Sequence, residues 1–167
     1  MTSRIRYGIL ALVTLAVLGV PAYLIAQKER LLAEGRTVLL RLAPVDPRSL
    51  MQGDYMDLRY AFPDSTLPPE ALPRRGRLVL IVGPDSVARI DRLYREGEPL
   101  GPNEQLIAYR KRQGRVQFGA EAFFFQEGHA DYYSGAQYGA LKVNPEGESL
   151  LVGLRDEARR PLGPPAF

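Results

Sequence analysis

Residues 8–26, Gly-Ile-Leu-Ala-Leu-Val-Thr-Leu-Ala-Val-Leu-Gly-Val-Pro-Ala-Tyr-Leu-Ile-Ala, carry no charge, and their only hydroxyls are those of Thr14 and Tyr23. Wound as a helix at ~1.5 Å per residue, this run reaches ~28 Å, enough to cross the hydrocarbon core of a bilayer. Pro21 falls near one end, where few backbone bonds are lost, and Tyr23 is placed as an interfacial aromatic. A secretory signal has a shorter apolar core of roughly 7–15 residues and small residues ahead of the cut. Val20-Pro21-Ala22 fits that pattern poorly, and the apolar run continues past it to Ile25. The segment therefore reads as a retained anchor, with the lipid bilayer as the partner of residues 8–26.

Orientation is less directly encoded. Arg4 and Arg6 precede the run, while Lys28, Arg30 and Arg36 follow it among Glu29 and Glu34, so the count of basic residues alone does not choose a side. A short end, residues 1–7, with no acidic residue is expected to stay in the cytoplasm. The rest of the chain is then expected on the periplasmic or exterior side of the cytoplasmic (inner) membrane.

What remains is long enough for one domain with a real core. The formal charge is +3, but Arg4 and Arg6 belong to the topology of the anchor. Taking those 2 from 22 basic residues leaves 20 against 19 acidic ones, a near-neutral balance with no footprint for nucleic acid. Arg110-Lys111-Arg112 is the one dense basic run, and at a hairpin end it reads as a solvated turn. With no cysteine, thiolate metal sites, disulfides and cysteine nucleophiles are excluded.

Residues 27–35 are expected to extend the helix as far as Gly35, and residues 36–167 to form the exported domain. Short β-rich runs dominate it: 37–42, 54–62, 77–82, 86–94, 106–110, 115–118, 141–143 and 150–154. Between them come Pro44 and Pro47, the proline-rich 63–75, Gln113-Gly114, and Asn144-Pro145-Glu146-Gly147-Glu148. The expected fold is mainly β, an antiparallel sandwich or barrel-like domain behind one transmembrane helix.

Gly53-Asp54-Tyr55-Met56-Asp57-Leu58-Arg59-Tyr60 joins a turn signal to a strand. Alternation puts Asp54, Met56, Leu58 and Tyr60 on one face and Tyr55, Asp57 and Arg59 on the other. If Leu58 and Tyr60 face the core, Tyr55 must either lie outside beside two charges or be turned inward by a bulge at Gly53-Asp54. In the structural reading, Gly53 supplies a turn, Asp54 bonds backbone donors, and the tyrosines pack.

This octapeptide resembles the signature of the GDYXXLXY family, all of whose fixed letters are met by Gly53, Asp54, Tyr55, Leu58 and Tyr60. A second segment is similar as well: the Phe-rich Phe118–Gly128 with Glu127-Gly128, then Tyr138-Gly139 and the strand bearing Lys142. Together they extend the resemblance from about Val38 to Leu154. It implies a bacterial membrane-anchored protein, and as first partner a polytopic membrane protein encoded beside it.

Pro47-Arg48-Ser49-Leu50-Met51-Gln52-Gly53-Asp54 also resembles the catalytic stretch of type I signal peptidases, where a serine after an anchor is served by a strand lysine. That resemblance implies a Ser49/Lys142 dyad, because a hydroxyl needs a base and a desolvated lysine can be one. The segment departs from the peptidases in lacking Ser-Met-x-Pro and in a shorter serine-to-Gly-Asp spacing.

His129, the only histidine, has Glu127 and Asp131 at −2 and +2. One imidazole without a second ligand motif is no metal signature, so it reads as a loop residue and no metal or cofactor is expected. Phe123-Phe124-Phe125 must put at least one ring on each strand face. With Glu127, Tyr132 and Tyr138 they mark the expected partner or ligand surface. The chain is thus expected to be a membrane-anchored, non-catalytic β-domain that docks to another membrane or envelope protein. The alternatives are a tethered Ser/Lys hydrolase and a small-ligand-binding envelope domain.

Overall fold

A computed structural model describes residues 2–43, 51–52, 55–62, 67–112, 114–119 and 122–164. The chain divides into two units, Met1–Glu34 and Gly35–Phe167. The first is one helix, α1 (Thr2–Glu34), with Pro21 inside it. Its stretch Tyr7–Glu34, which contains an 18-residue window of mean hydropathy 2.4, is long and apolar enough to cross a membrane.

The second unit is mostly β. Among the described residues ten strands follow in order: β1 (Arg36–Arg41), β2 (Met51–Gln52), β3 (Tyr55–Asp57), β4 (Arg75–Val82), β5 (Val87–Leu93), β6 (Glu104–Arg112), β7 (Arg115–Gln117), β8 (Ala122–Phe124), β9 (Tyr138–Val143) and β10 (Ser149–Arg155). A one-turn helix, α2 (Ala130–Tyr133), lies between β8 and β9. Seven strands form a curled half-barrel sheet in the order β10-β9-β1-β5-β4-β6-β7, and β2-β3-β8 form a second, small sheet.

The expected mainly β, barrel-like domain behind one apolar helix is present, with one pair of strands that is not antiparallel. β1 and β5 run parallel, with Leu39 opposite Val87 and Leu40 opposite Ala88. The large sheet is therefore mixed. The run 54–62 also differs from a single strand: among its described residues the ladder covers Tyr55–Asp57, and Tyr60 returns as an isolated bridge to Leu42. Its backbone is held there by Ala43 N–H donating to Arg59 O (2.7 Å) and Ala61 N–H to Arg41 O (2.9 Å).

Period-two patterning decides which side chains fill the half-barrel. Val38 and Leu40, Leu78, Leu80 and Val82, Ala88 and Ile90, Ile107 and Tyr109, and Leu141 and Val143 point into one core, which Met56, Leu58, Tyr60 and Phe118 fill from the other side. β4 is apolar on both faces because Val79, like its neighbours Leu78 and Leu80, is fully buried. On the opposite face Leu39, Tyr138 and Ala140 make a smaller cluster with Val87. Register shifts at Val79/Leu80 and Leu151/Gly153 add the local twist that helps a sheet to curl.

Two loops are tied to this sheet by polar groups. In the turn after β9, Gly147 has φ 90°, and its carbonyl accepts a 2.7 Å bond from Ala108 N–H. A Cβ there would stand 3.1 Å from Ala108 N, so glycine is required by both conformation and space. Between β5 and β6, Arg92 meets Glu104 at 2.6 Å, Glu98 at 2.6 Å and Asp91 at 2.8 Å. Glu104 also accepts the Gly101 N–H at 2.9 Å.

Hydrogen bonds from Arg92, and then the one from Gly101, lower the Glu104 carboxyl to about 2. A carboxyl depressed by folding contributes stability that is complete above its unfolded value of 4.5 and is lost as pH falls towards 2. We expect the thermal midpoint to fall across that window, and to fall less steeply in Glu104→Gln, which starts lower at neutral pH. Equal slopes in melting curves of the two proteins between pH 4.5 and pH 2 would show that Glu104 is not a source of the acid sensitivity.

Candidate functional site

β3 carries the motif's alternation without resetting its phase. Met56, Leu58 and Tyr60 are buried at 2%, 6% and 8% exposure, while Tyr55 is exposed. Burial also raises the Tyr60 hydroxyl well above its ordinary value. Gly53 and Asp54, the other motif positions, lie outside the described residues, as does Ser49.

β8 pairs with β3 in antiparallel register, with Tyr55 opposite Phe124, Met56 opposite Phe123 and Asp57 opposite Ala122. Side chains directly opposite share a face, so Tyr55 and Phe124 stand together on the outside. Their ring centroids are 5.9 Å apart, and Phe124 is 75% exposed. Phe123 and Phe125 turn the other way onto Tyr133, at 5.0 Å and 5.3 Å. The triple phenylalanine is therefore divided between the core and the surface.

The remaining expected surface residues differ in exposure. Glu127 is exposed in the turn after β8, and Tyr132 is exposed on α2 with its ring edge-on to His129 at 5.3 Å. Tyr138 is not at the surface, contrary to the sequence reading. It lies 9% exposed in the smaller cluster on the far side of the large sheet, with the Arg41 guanidinium 5.9 Å from its ring.

Lys142, half-buried on β9, donates from Nζ to the Gly35 carbonyl at 2.9 Å. The amine is thus engaged with backbone. Among the described residues no three of His, Asp and Glu gather as a metal-holding group.

A cleft of about 400 Å³ opens beside the motif, between the segment 57–62 and the hairpin of β6 and β7. It escaped the sequence reading because its two walls are distant in the chain. Leu58, Tyr60, Phe62 and Val116 supply apolar lining, and Arg59, Arg112, Arg115 and Asp57 supply charge. Asp57 Oδ2 stands 3.6 Å from Arg59 Nε and 3.5 Å from Arg115 Nη1. These distances exceed the ~2.7–2.9 Å of a tight charge-assisted bond, and exposed pairs of this kind contribute only about 0–1 kcal/mol. Towards the described residues the arginines keep most of their donors available.

The architecture defines a protein with one long apolar N-terminal helix and a half-barrel β-domain whose signature strand lines a cationic cleft. The chain belongs to the GDYXXLXY protein family, whose model matches residues 17–154. No curated protein and no solved structure matches it.

Proposed function

We propose that this is a non-catalytic extracytoplasmic domain, residues 36–167, anchored in the cytoplasmic membrane by residues 8–26 and docked through β3 and β8 to another membrane or envelope protein. On this topology residues 1–7 stay in the cytoplasm, and the domain faces the periplasm or exterior. The observation that carries docking is the outward pair of Tyr55 and Phe124. It places a fixed tyrosine of the signature against a phenylalanine that is 75% exposed. Scattered single apolar side chains are ordinary on surfaces, but a pair of aromatics in contact on adjoining strands, here tilted at 42° to one another, is the kind of anchor that interfaces bury.

A photo-reactive residue at position 124, in the full chain in native membranes, is expected to cross-link to one dominant protein. The same group at Val152, which is also exposed, serves as the control. Tyr55→Ser combined with Phe124→Ser is expected to cut recovery of that protein about tenfold or more, as loss of two aromatic anchors does. Equal recovery from positions 124 and 152, or none from 124, overturns the docking face.

A further inference from the structure

We propose that the cleft beside the motif binds an amphipathic oxyanion, a carboxylate or phosphate ester with an apolar body. This is separate from the docking face, because neither Tyr55 nor Phe124 lines the cleft. Three features support it.

The first is charge. Among the described residues that line the cleft, three are arginines (Arg59, Arg112 and Arg115) and one is a carboxylate (Asp57), an excess of two positive charges in that set. The Arg112 guanidinium has no hydrogen-bond or ion-pair partner among the described residues, and the two arginines near Asp57 are held loosely at 3.6 Å and 3.5 Å. Guanidinium groups arranged this way offer planar pairs of donors that match a carboxylate or phosphate.

The second is geometry. Arg112 and Arg115 are directly opposite across the β6–β7 hairpin, so both project from one face of it. Arg59 approaches from the other wall, on the signature strand's continuation. An anion seated between them would be bound from both walls at once.

The third is the lining. Leu58, Tyr60, Phe62 and Val116 give the cleft an apolar part beside the cationic one, and about 400 Å³ is room for a small organic body. A bare inorganic anion would leave that surface wet. A neutral apolar molecule would leave the guanidinium groups unanswered.

The test uses the full chain in phosphatidylcholine nanodiscs, titrated by calorimetry with phenyl phosphate, benzoate, inorganic phosphate and benzyl alcohol. Phenyl phosphate or benzoate is expected to bind saturably, with inorganic phosphate and benzyl alcohol at least tenfold weaker. Arg112→Ala with Arg115→Ala is expected to weaken binding tenfold or more at an unchanged thermal midpoint. Asp57→Asn, which removes the competing carboxylate, is expected to tighten it about threefold. Repeating the titration in nanodiscs containing phosphatidylglycerol identifies the source of the anion. Competition by that lipid assigns the site to an anionic headgroup, and undiminished binding assigns it to a soluble amphiphile. Absence of saturable binding by either aryl anion, with no lipid-dependent shift in the thermal midpoint, overturns the proposal. So does binding that survives loss of Arg112 and Arg115 unchanged.

Discussion

Phe118→Ala is expected to destabilise the β-domain by about 3–5 kcal/mol, the range for removing a large aromatic from a packed core. Phe118 is fully buried, with Tyr60 edge-on at 5.3 Å and Phe62 stacked at 6.0 Å. It therefore joins the motif segment to the half-barrel. Ser149 Oγ donates to the Phe118 carbonyl at 2.6 Å, and this bond uses backbone that alanine retains. The loss is then almost wholly one of ring packing and the cavity left behind. For a domain of this size it corresponds to a fall in thermal midpoint of about 10–20 °C. Phe124→Ala provides the contrast: its ring is mostly in water, and the expected change is within about 0.5 kcal/mol. Melting of both variants, measured as full chains in the same nanodiscs, checks this. If the two midpoints shift equally, the core does not depend on the motif segment as described.

The two phenylalanines also show what could be read from the chain. Alternation was enough to require that Phe123, Phe124 and Phe125 divide between two faces, and it placed Met56, Leu58 and Tyr60 opposite Tyr55. The choice of which face met water came from the tertiary partner, Tyr133, which receives Phe123 and Phe125. Continuous apolar runs such as Leu78–Val82 announced a strand buried on both sides, because such patterning has few other uses. The parallel pairing of β1 with β5 had no local signal, since register between strands separated by more than forty residues depends on the whole sheet. Tyr138 was misplaced for a related reason. A tyrosine that opens a strand suits a surface or a core equally, and only the neighbours Leu39 and Arg41 across the ladder decide it. The cleft was illegible in the same way: Arg112 ends the basic run Arg110-Lys111-Arg112 at the hairpin, and Arg59, Asp57 and Phe62 reach the cleft from another part of the chain.

Val17→Arg is expected to have the largest effect on location. Val17 sits at the middle of residues 8–26, in the helix that is long and apolar enough to span. An arginine at the centre of a spanning helix costs about 2.5–3.5 kcal/mol on insertion scales, a factor of about a hundred or more in the insertion equilibrium. We expect most of the variant to leave the carbonate-resistant membrane fraction, and a C-terminal reporter to show less export. Leu32→Arg, beyond the apolar run, is expected to leave both unchanged. The intact mass of the wild-type membrane-bound form separates an anchor from a removable leader. An anchor retains residues 8–26, whereas cleavage after Ala22 leaves a chain beginning at Tyr23. If Val17→Arg stays in the membrane fraction as fully as wild type, the helix does not hold the chain there, and membrane association has to come from the β-domain itself.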